Sequence, residues 1–263
     1  MSEGVIVDLG IRGRAALVLG STSGLGGASA SALANEGARV AFVGRRKERA
    51  VELAGEHEGS LAVVSDLTES DAAQTLVDEV MAGLGEIDIL VLNSGGPPPG
   101  TAAGLTAAEV RSAVETLLVR QIEIAELVLP SMRSRGWGRI VAIGSTSIQE
   151  PLAGLALSNI ARSGLAGYLK TLAREVASDG VTVNMVLPGL IGTDRIAQLD
   201  GHRAAAANVD VTDVQSRSLA AIPAGRYGFP EEFGSVVTFL CSAQASYVTG
   251  EQIRCDGGMV AGY

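Results

Sequence analysis

The run Ala15-Ala16-Leu17-Val18-Leu19-Gly20-Ser21-Thr22-Ser23-Gly24-Leu25-Gly26 decides the fold. Five unbroken apolar residues are what a strand covered on both faces requires. They run into a turn with glycine at 20, 24 and 26, and small and apolar residues then continue at helical pace to Glu36. Strand, glycine turn and helix is the arrangement in which a backbone passes close to a phosphate and a helix N-terminus faces its charge. The spacing is G-x3-G-x-G rather than the general G-x-G-x-x-G. The turn alone therefore stands open between plain turn chemistry and a nucleotide site; its place between a first strand and a helix favours the site.

Outward from this run the alternation repeats. Apolar stretches at 39–43, 61–64, 87–92, 140–143 and 181–187 read as strands, with a short last one at 252–255. Between them, 24–36, 70–83, 106–129, 155–178 and 230–243 read as helices. Thr68 and Glu69 mark the start of the second helix, and Pro230 with Glu231 and Glu232 the start of the last. The order βαβαβ twice over, closed by a helix and a strand, predicts an α/β fold. It is a single doubly wound parallel sheet of the Rossmann kind, with helices on both faces.

The 263 residues show no linker or low-complexity tract, so residues 1–263 read as one domain, and 47% hydrophobic content is ample for one large core. A net charge of −9 argues against nucleic acid or an anionic membrane as the main partner. No stretch approaches the roughly eighteen apolar residues of a membrane span. The N-terminus carries Glu3, Asp8, Arg12 and Arg14 and lacks the apolar segment of a secretory signal. Cys241 and Cys255 have neither metal-ligand spacing nor a disulfide pattern and read as small buried hydrophobes, so no metal site is expected. His57 and His202 read as solvated surface residues. A cytoplasmic compartment and a small-molecule partner fit these features.

The turn at Gly20, Ser21, Ser23, Gly24, Leu25 and Gly26 resembles the TGxxxGxG of short-chain dehydrogenases/reductases, and further landmarks follow in order along residues 10–260. Ser65-Asp66-Leu67, after the third strand, resembles the stretch that carries the family's adenine-contacting Asp, which implies Asp66 and Leu67 as cofactor-binding residues. Asn93-Ser94-Gly95 resembles its NNAG, with Ser94 in place of Ala. Pro188-Gly189-Leu190-Ile191-Gly192-Thr193 resembles its PGxxxT, which implies that Pro188, Gly189, Ile191 and Thr193 hold the nicotinamide carboxamide. Asp256-Gly257-Gly258 resembles its closing DGG. The resemblance implies a nicotinamide cofactor and a homo-oligomer, a tetramer or dimer.

The choice of cofactor is read at the end of the second strand. NAD binders usually place a carboxylate there for the ribose 2′-hydroxyl. This chain has Gly44-Arg45-Arg46 instead, and a guanidinium pairs with a 2′-phosphate. NADP(H) is thus preferred, NAD(H) stays open, and Arg45 and Arg46 can alternatively begin a solvated helix over 45–52.

The catalytic pattern departs from the family. Members carry Ser, then Tyr thirteen residues on, then Lys four after the Tyr. Ser145 matches the first, but Ser158 stands in the Tyr slot and Arg162 in the Lys slot. The run from Ser163 to Ala173 follows in register, so Tyr168 and Lys170 are not displaced catalytic residues. A helix Asn that often supports a proton-relay water falls near Leu117, and no Asn lies between Asn93 and Pro130. Ser158 and Arg162 are still i,i+4 on one helical face. Arg162 can take the ribose contact and stabilise an alkoxide but is a poor general acid.

Three functions follow. The first is an NADP(H)-dependent oxidoreductase acting on a small carbonyl, alcohol or imine with a non-standard proton relay. The second is a catalytically impaired protein that holds the dinucleotide for sensing or scaffolding. The third, more distant, is lyase or dehalogenase chemistry. Halohydrin dehalogenases resemble the family and replace the Lys with Arg, but they keep the Tyr and lose the glycine loop. Residues 194–222 are expected to form a substrate lid with a turn at Asp200-Gly201, and Pro97-Pro98-Pro99 to stiffen a second loop over the site.

Overall fold

Alternate side chains of the first strand feed two separate cores. In the computed structural model, which describes residues 7–262, β1 (Ala15–Val18) sends Ala15 and Leu17 to one face of the sheet and Ala16 and Val18 to the other. The strands β2 (Arg39–Gly44), β3 (Leu61–Val64), β4 (Ile89–Leu92), β5 (Gly138–Ile143), β6 (Val181–Pro188) and β7 (Gln252–Cys255) complete the sheet. All pairings are parallel, in the order β3-β2-β1-β4-β5-β6-β7. This is the doubly wound sheet expected from the sequence. Its order reverses between β1 and β4, which opens a crevice at their carboxyl ends. Glu3, part of the N-terminal charge pattern, lies outside the described residues.

In chain order the helices are α1 (Gly24–Asn35), α2 (Lys47–Gly55), α3 (Ala72–Leu84), α4 (Ala107–Val114), α5 (Arg120–Ser134), α6 (Ala156–Val176), α7 (Asp194–Ala207), α8 (Val211–Ala221) and α9 (Pro230–Leu240). One core takes Leu33 of α1, Leu53 of α2 and Phe233 and Val237 of α9. The other takes Leu76 and Val80 of α3, Ile124 and Val128 of α5 and Leu165 and Leu169 of α6.

Several local expectations are corrected. Thr68 does not start a helix: its amide and hydroxyl both donate to Asp66 Oδ1, at 3.1 and 2.9 Å, and this turn delays α3 until Ala72. The helix expected over 106–129 starts on a capping box of Thr106 and Glu109 and runs through Pro130 to Ser134. It carries a π-helical segment at Glu115–Val119. The fully buried Met132 anchors its last turn, which offsets the hydrogen bond that Pro130 removes. Asp200 and Gly201 form no turn but lie inside α7. There Asp200 is fully buried and accepts from the Tyr227 hydroxyl at 2.8 Å and from Arg203 at 3.3 Å. His57 is not simply solvated, because its ring stacks on Phe42 with centroids 5.7 Å apart. Arg139 at the start of β5, outside the apolar stretch read as that strand, is buried. It donates to Ser242 O and Gly180 O and lies over Trp137.

The tightest helix contact is between α1 and α9. A Cβ at Gly234 would sit 2.7 Å from the Ala28 carbonyl oxygen, a backbone atom that cannot rotate aside. Gly234→Val should cost about 2 kcal/mol and lower Tm by roughly 4–8 °C in thermal unfolding. An unchanged Tm would show that α9 can stand off without loss.

Candidate active site

The glycine turn is built by close approach. Gly20 takes a φ of 59°, and a Cβ at Gly26 would lie 2.4 Å from Gly20 O and 2.7 Å from Asn93 Nδ2. No side chain fits at Gly26, so α1 starts against the turn. Asn93, from the end of β4, holds the turn in place by donating to Leu19 O at 3.1 Å and Gly20 O at 3.4 Å. Ser21 is buried and committed to the scaffold, donating to Val18 O at 2.8 Å and accepting from Val43 N at 2.7 Å. Ser23 differs. It is exposed, caps α1 without a side-chain hydrogen bond, and leaves its hydroxyl with the first amides of the helix facing outward. Hydroxyl and unpaired amides at a helix N-terminus are what a phosphate requires.

The other predicted cofactor residues line the same edge. Arg46 bends over the turn and donates to Thr22 O at 3.0 Å and Thr22 Oγ1 at 3.3 Å. Arg45 is 77% exposed and lies 4.0 Å from Asp66. The bonds from Thr68, with Arg45 adding a smaller pull, hold the Asp66 carboxyl below its usual range. Leu25 and Leu67 pack on the two cores at the rim. Ser94 and Gly95 continue from Asn93 into the loop that holds Pro97. Gly189 lies against Asp256, a Cβ there falling 2.7 Å from the Asp256 Cα. Ile191 is buried and bridges to Gly228, which fixes the loop after Pro188. Thr193 caps α7, and a Cβ at Gly24 would lie 3.9 Å from its methyl, so the loop faces the turn. A groove of about 630 Å³ begins between Ser23–Gly24 and Gly192–Asp194. It runs along α1 and α9 away from Ser158, so only its mouth belongs to the site.

Ser145, Ser158 and Arg162 gather at the end of β5. Ser145 is part-buried and accepts from Ser147 N at 3.1 Å. Ser158 lies in the first turn of α6, nearly buried. Arg162, one turn on, donates through Nε to Ser158 Oγ at 3.3 Å and through Nη1 to Ile143 O at 2.6 Å, two residues before Ser145. Burial, then the charge of Arg195, pushes Arg162 down to about 10, so it stays a cation at neutral pH. Leu117 lies in the π-helical segment and packs with Ala113, Leu157 and Ala161, so apolar contact replaces a polar group there.

Sequence reasoning missed three residues. Arg195 reaches from the first turn of α7 to the Pro97 carbonyl at 2.7 Å. Gln121, buried, donates to Asn93 O and to Thr116 O, both at 3.3 Å. Arg120, buried, donates to Leu67 O at 3.2 Å and pairs with Glu123 and Glu115. A bare polar pair within an apolar helix face was the one available signal for Arg120 and Gln121. For Arg195 it was its place two residues after Thr193.

A family model described as enoyl-(acyl carrier protein) reductase matches residues 20–260. The 3-oxoacyl-[acyl-carrier-protein] reductase of Salmonella typhimurium is 34% identical over 253 residues, 95% of this chain and 99% of that protein. The solved L-sorbose reductase from Gluconobacter frateurii, complexed with NADPH and L-sorbose, superposes with a TM-score of 0.91 at 31% identity, covering 98% of this chain and 100% of that one. YwfH, an NADPH dependent reductase involved in bacilysin biosynthesis, gives 0.89 at 25% identity over 95% and 99% of the two chains. Fold, turn and strand-end cluster thus define a protein of the dinucleotide-binding oxidoreductase kind. The chain belongs to the short-chain dehydrogenase/reductase family. Among the described residues no helix is long and apolar enough to cross a membrane.

Tyr168 stands apart from this cluster. Its hydroxyl donates to Glu126 Oε1 at 2.8 Å across α5 and α6, and burial with this carboxylate raises the phenol above its usual 10. Tyr168→Phe should leave turnover within about twofold and cost no more than about 1 kcal/mol of stability. A large loss of turnover with the fold intact would place the phenol in the reaction.

Proposed function

We propose that the protein is an NADP(H)-dependent oxidoreductase that moves a hydride between nicotinamide and a small carbonyl, alcohol or imine substrate. One observation carries this reading: Arg162 is hydrogen-bonded to Ser158 and to Ile143 O at the end of β5, in a chain whose β1 runs into a close-packed glycine turn. The similarity to an NADPH dependent reductase and to a sorbose reductase complexed with NADPH supports the cofactor. When bound, the nicotinamide supplies or accepts the hydride.

The chain's own residues then have distinct tasks. Ser23 and the first amides of α1 receive the pyrophosphate, and Arg45 and Arg46 receive the 2′-phosphate. Thr193 and the backbone after Pro188 hold the carboxamide, and Asp66 and Leu67 flank the adenine. Ser145 donates a hydrogen bond to the substrate oxygen. Arg162 donates to Ser158 Oγ, which leaves the serine proton directed at the substrate rather than at the protein. The guanidinium stabilises negative charge as it develops on that oxygen. No phenol is needed for this charge, although delivery of the proton passes through a serine hydroxyl and solvent. Helices α7 and α8 act as the substrate lid, held to the Pro97 loop through Arg195.

NADPH deuterated at C4, in both epimers, incubated with a panel of carbonyl and imine compounds, should deliver label to product. Arg162→Ala should lower kcat by about 100-fold, the usual scale for one electrostatic donor. With Arg45→Ala and Arg46→Ala combined, Kd for NADPH should rise about 10- to 100-fold while that for NADH stays within about twofold. NADPH bound tightly with no transfer to any compound would favour a protein that holds the dinucleotide without reacting it.

A further inference from the structure

Two guanidiniums flank the opening of the site with no carboxylate between them. Arg162 rises from α6 on the β5 side, held by Ile143 O and Ser158 Oγ. Arg195 comes from α7 on the opposite side, its Nη2 on the Pro97 carbonyl. Its guanidinium lies along Gly96, where a Cβ would be 3.0–3.2 Å from it. The 96–97 loop leaves β4, Ile143 ends β5, and these strands are neighbours. A bridge between Gly100 and Leu155 ties that loop to the start of α6. Both side chains therefore face one opening.

Among the described residues, neither guanidinium has an acidic oxygen within 4.0 Å, whereas Arg120, Arg133, Arg135, Arg203 and Arg226 all do. Each uses only part of its donor set on protein acceptors. Two cations sharing a part-buried opening raise each other's cost, and burial already lowers the proton affinity of both. An anion placed between them removes that cost. The phosphates of the cofactor are not that anion. Thr193 and Asp194 face the Ser23–Gly24 turn, whereas the Arg195 side chain points away from it, to Pro97.

We infer that Arg162 and Arg195 form a subsite for an anionic group of the substrate, a carboxylate or a phosphate close to the carbon that exchanges hydride. This names the substrate class of the site and rests on the oxidoreductase reading above. In the reducing direction the bound nicotinamide would supply a hydride to the carbonyl carbon as the π pair moves to oxygen. One proton, drawn from solvent through the Ser158 hydroxyl, would complete the alcohol, leaving the oxidised cofactor. Arg195 touches only the anionic group, and its planar fork orients the neighbouring carbonyl towards Ser145 and Ser158.

The test compares oxo acids of increasing chain length with their methyl esters, and dihydroxyacetone phosphate with dihydroxyacetone, by deuterium transfer from labelled NADPH. The charged member of a pair should be favoured in kcat/KM by about 100-fold or more, and the arm that shows this identifies carboxylate or phosphate. Arg195→Met should collapse that ratio towards unity, Arg195→Lys should restore part of it, and Kd for NADPH should stay within about threefold. Equal use of charged and neutral members overturns the inference, as does a loss in Arg195→Met that tracks NADPH affinity. If no compound accepts label, oxalate, malonate and phosphonoacetate are titrated into the NADPH complex and followed by nicotinamide fluorescence. Binding abolished by Arg195→Met upholds the subsite while the oxidoreductase reading fails; no binding of any of the three overturns the subsite as well.

Discussion

The site depends on one contact, the Gly26 Cα packed under the Gly20 carbonyl with the Asn93 amide bonded beside it. This contact joins β1 and β4, the two strands between which the sheet order reverses, so it fixes the width of the crevice. It also sets where α1 begins, and hence where the exposed Ser23 hydroxyl points. Gln121 carries the constraint further by holding Asn93 O from α5. Arg120, next to it, holds Leu67 O on the far side of β1 and β2, so one helix turn braces the loops that follow β3 and β4. Arg120 and Gln121 follow directly on the π-helical segment, and both are buried.

An acidic surface surrounds a basic cleft. The chain carries a net charge of −9, yet Arg45, Arg46, Arg162 and Arg195 all lie along the carboxyl ends of the strands. Such a field concentrates a polyanionic dinucleotide at the mouth and repels anions elsewhere on the surface. The same arrangement leaves Arg162 expensive to bury. Its proton affinity is depressed in the folded chain, so the cost is fully present below about pH 10 and eases only as pH rises past that value. A group held at such a cost against the fold is best explained by what it binds.

The sheet was legible because its strands are buried on both faces and read as continuous apolar runs. Arg139 escaped, since a buried arginine stacked on Trp137 looks like a loop residue in a hydropathy pattern. The segment 194–222, expected to form a lid, consists of α7 and α8, and these helices were not read from the sequence. α7 and α8 bury few residues apart from Leu199, Asp200, Ala204 and Val214, and Asp200-Gly201 carries turn chemistry that the Tyr227 hydroxyl overrides. The positions that hold the strand ends were readable from glycine spacing and from the family's motifs. Arg195 was not, because only the tertiary path of the Pro97 loop brings an acceptor to it.

In the proposed site, a serine in the place of a phenol would move the reacting oxygen as well as the proton. A serine hydroxyl stands much closer to its helix than a tyrosine hydroxyl does, so a carbonyl that reaches Ser158 must sit nearer α6. That shift brings it within range of Arg162, whose Nε already lies on Ser158 Oγ. In the proposed mechanism the cation would then act on the alkoxide directly, where a lysine in the same slot would act through a phenol. Leu117, Ala113, Leu157 and Ala161 pack together beside Ser158, so this side of the site is apolar. In the proposed site, rate would depend on how well charge is stabilised and how the substrate is oriented, the two tasks assigned to Arg162 and Arg195.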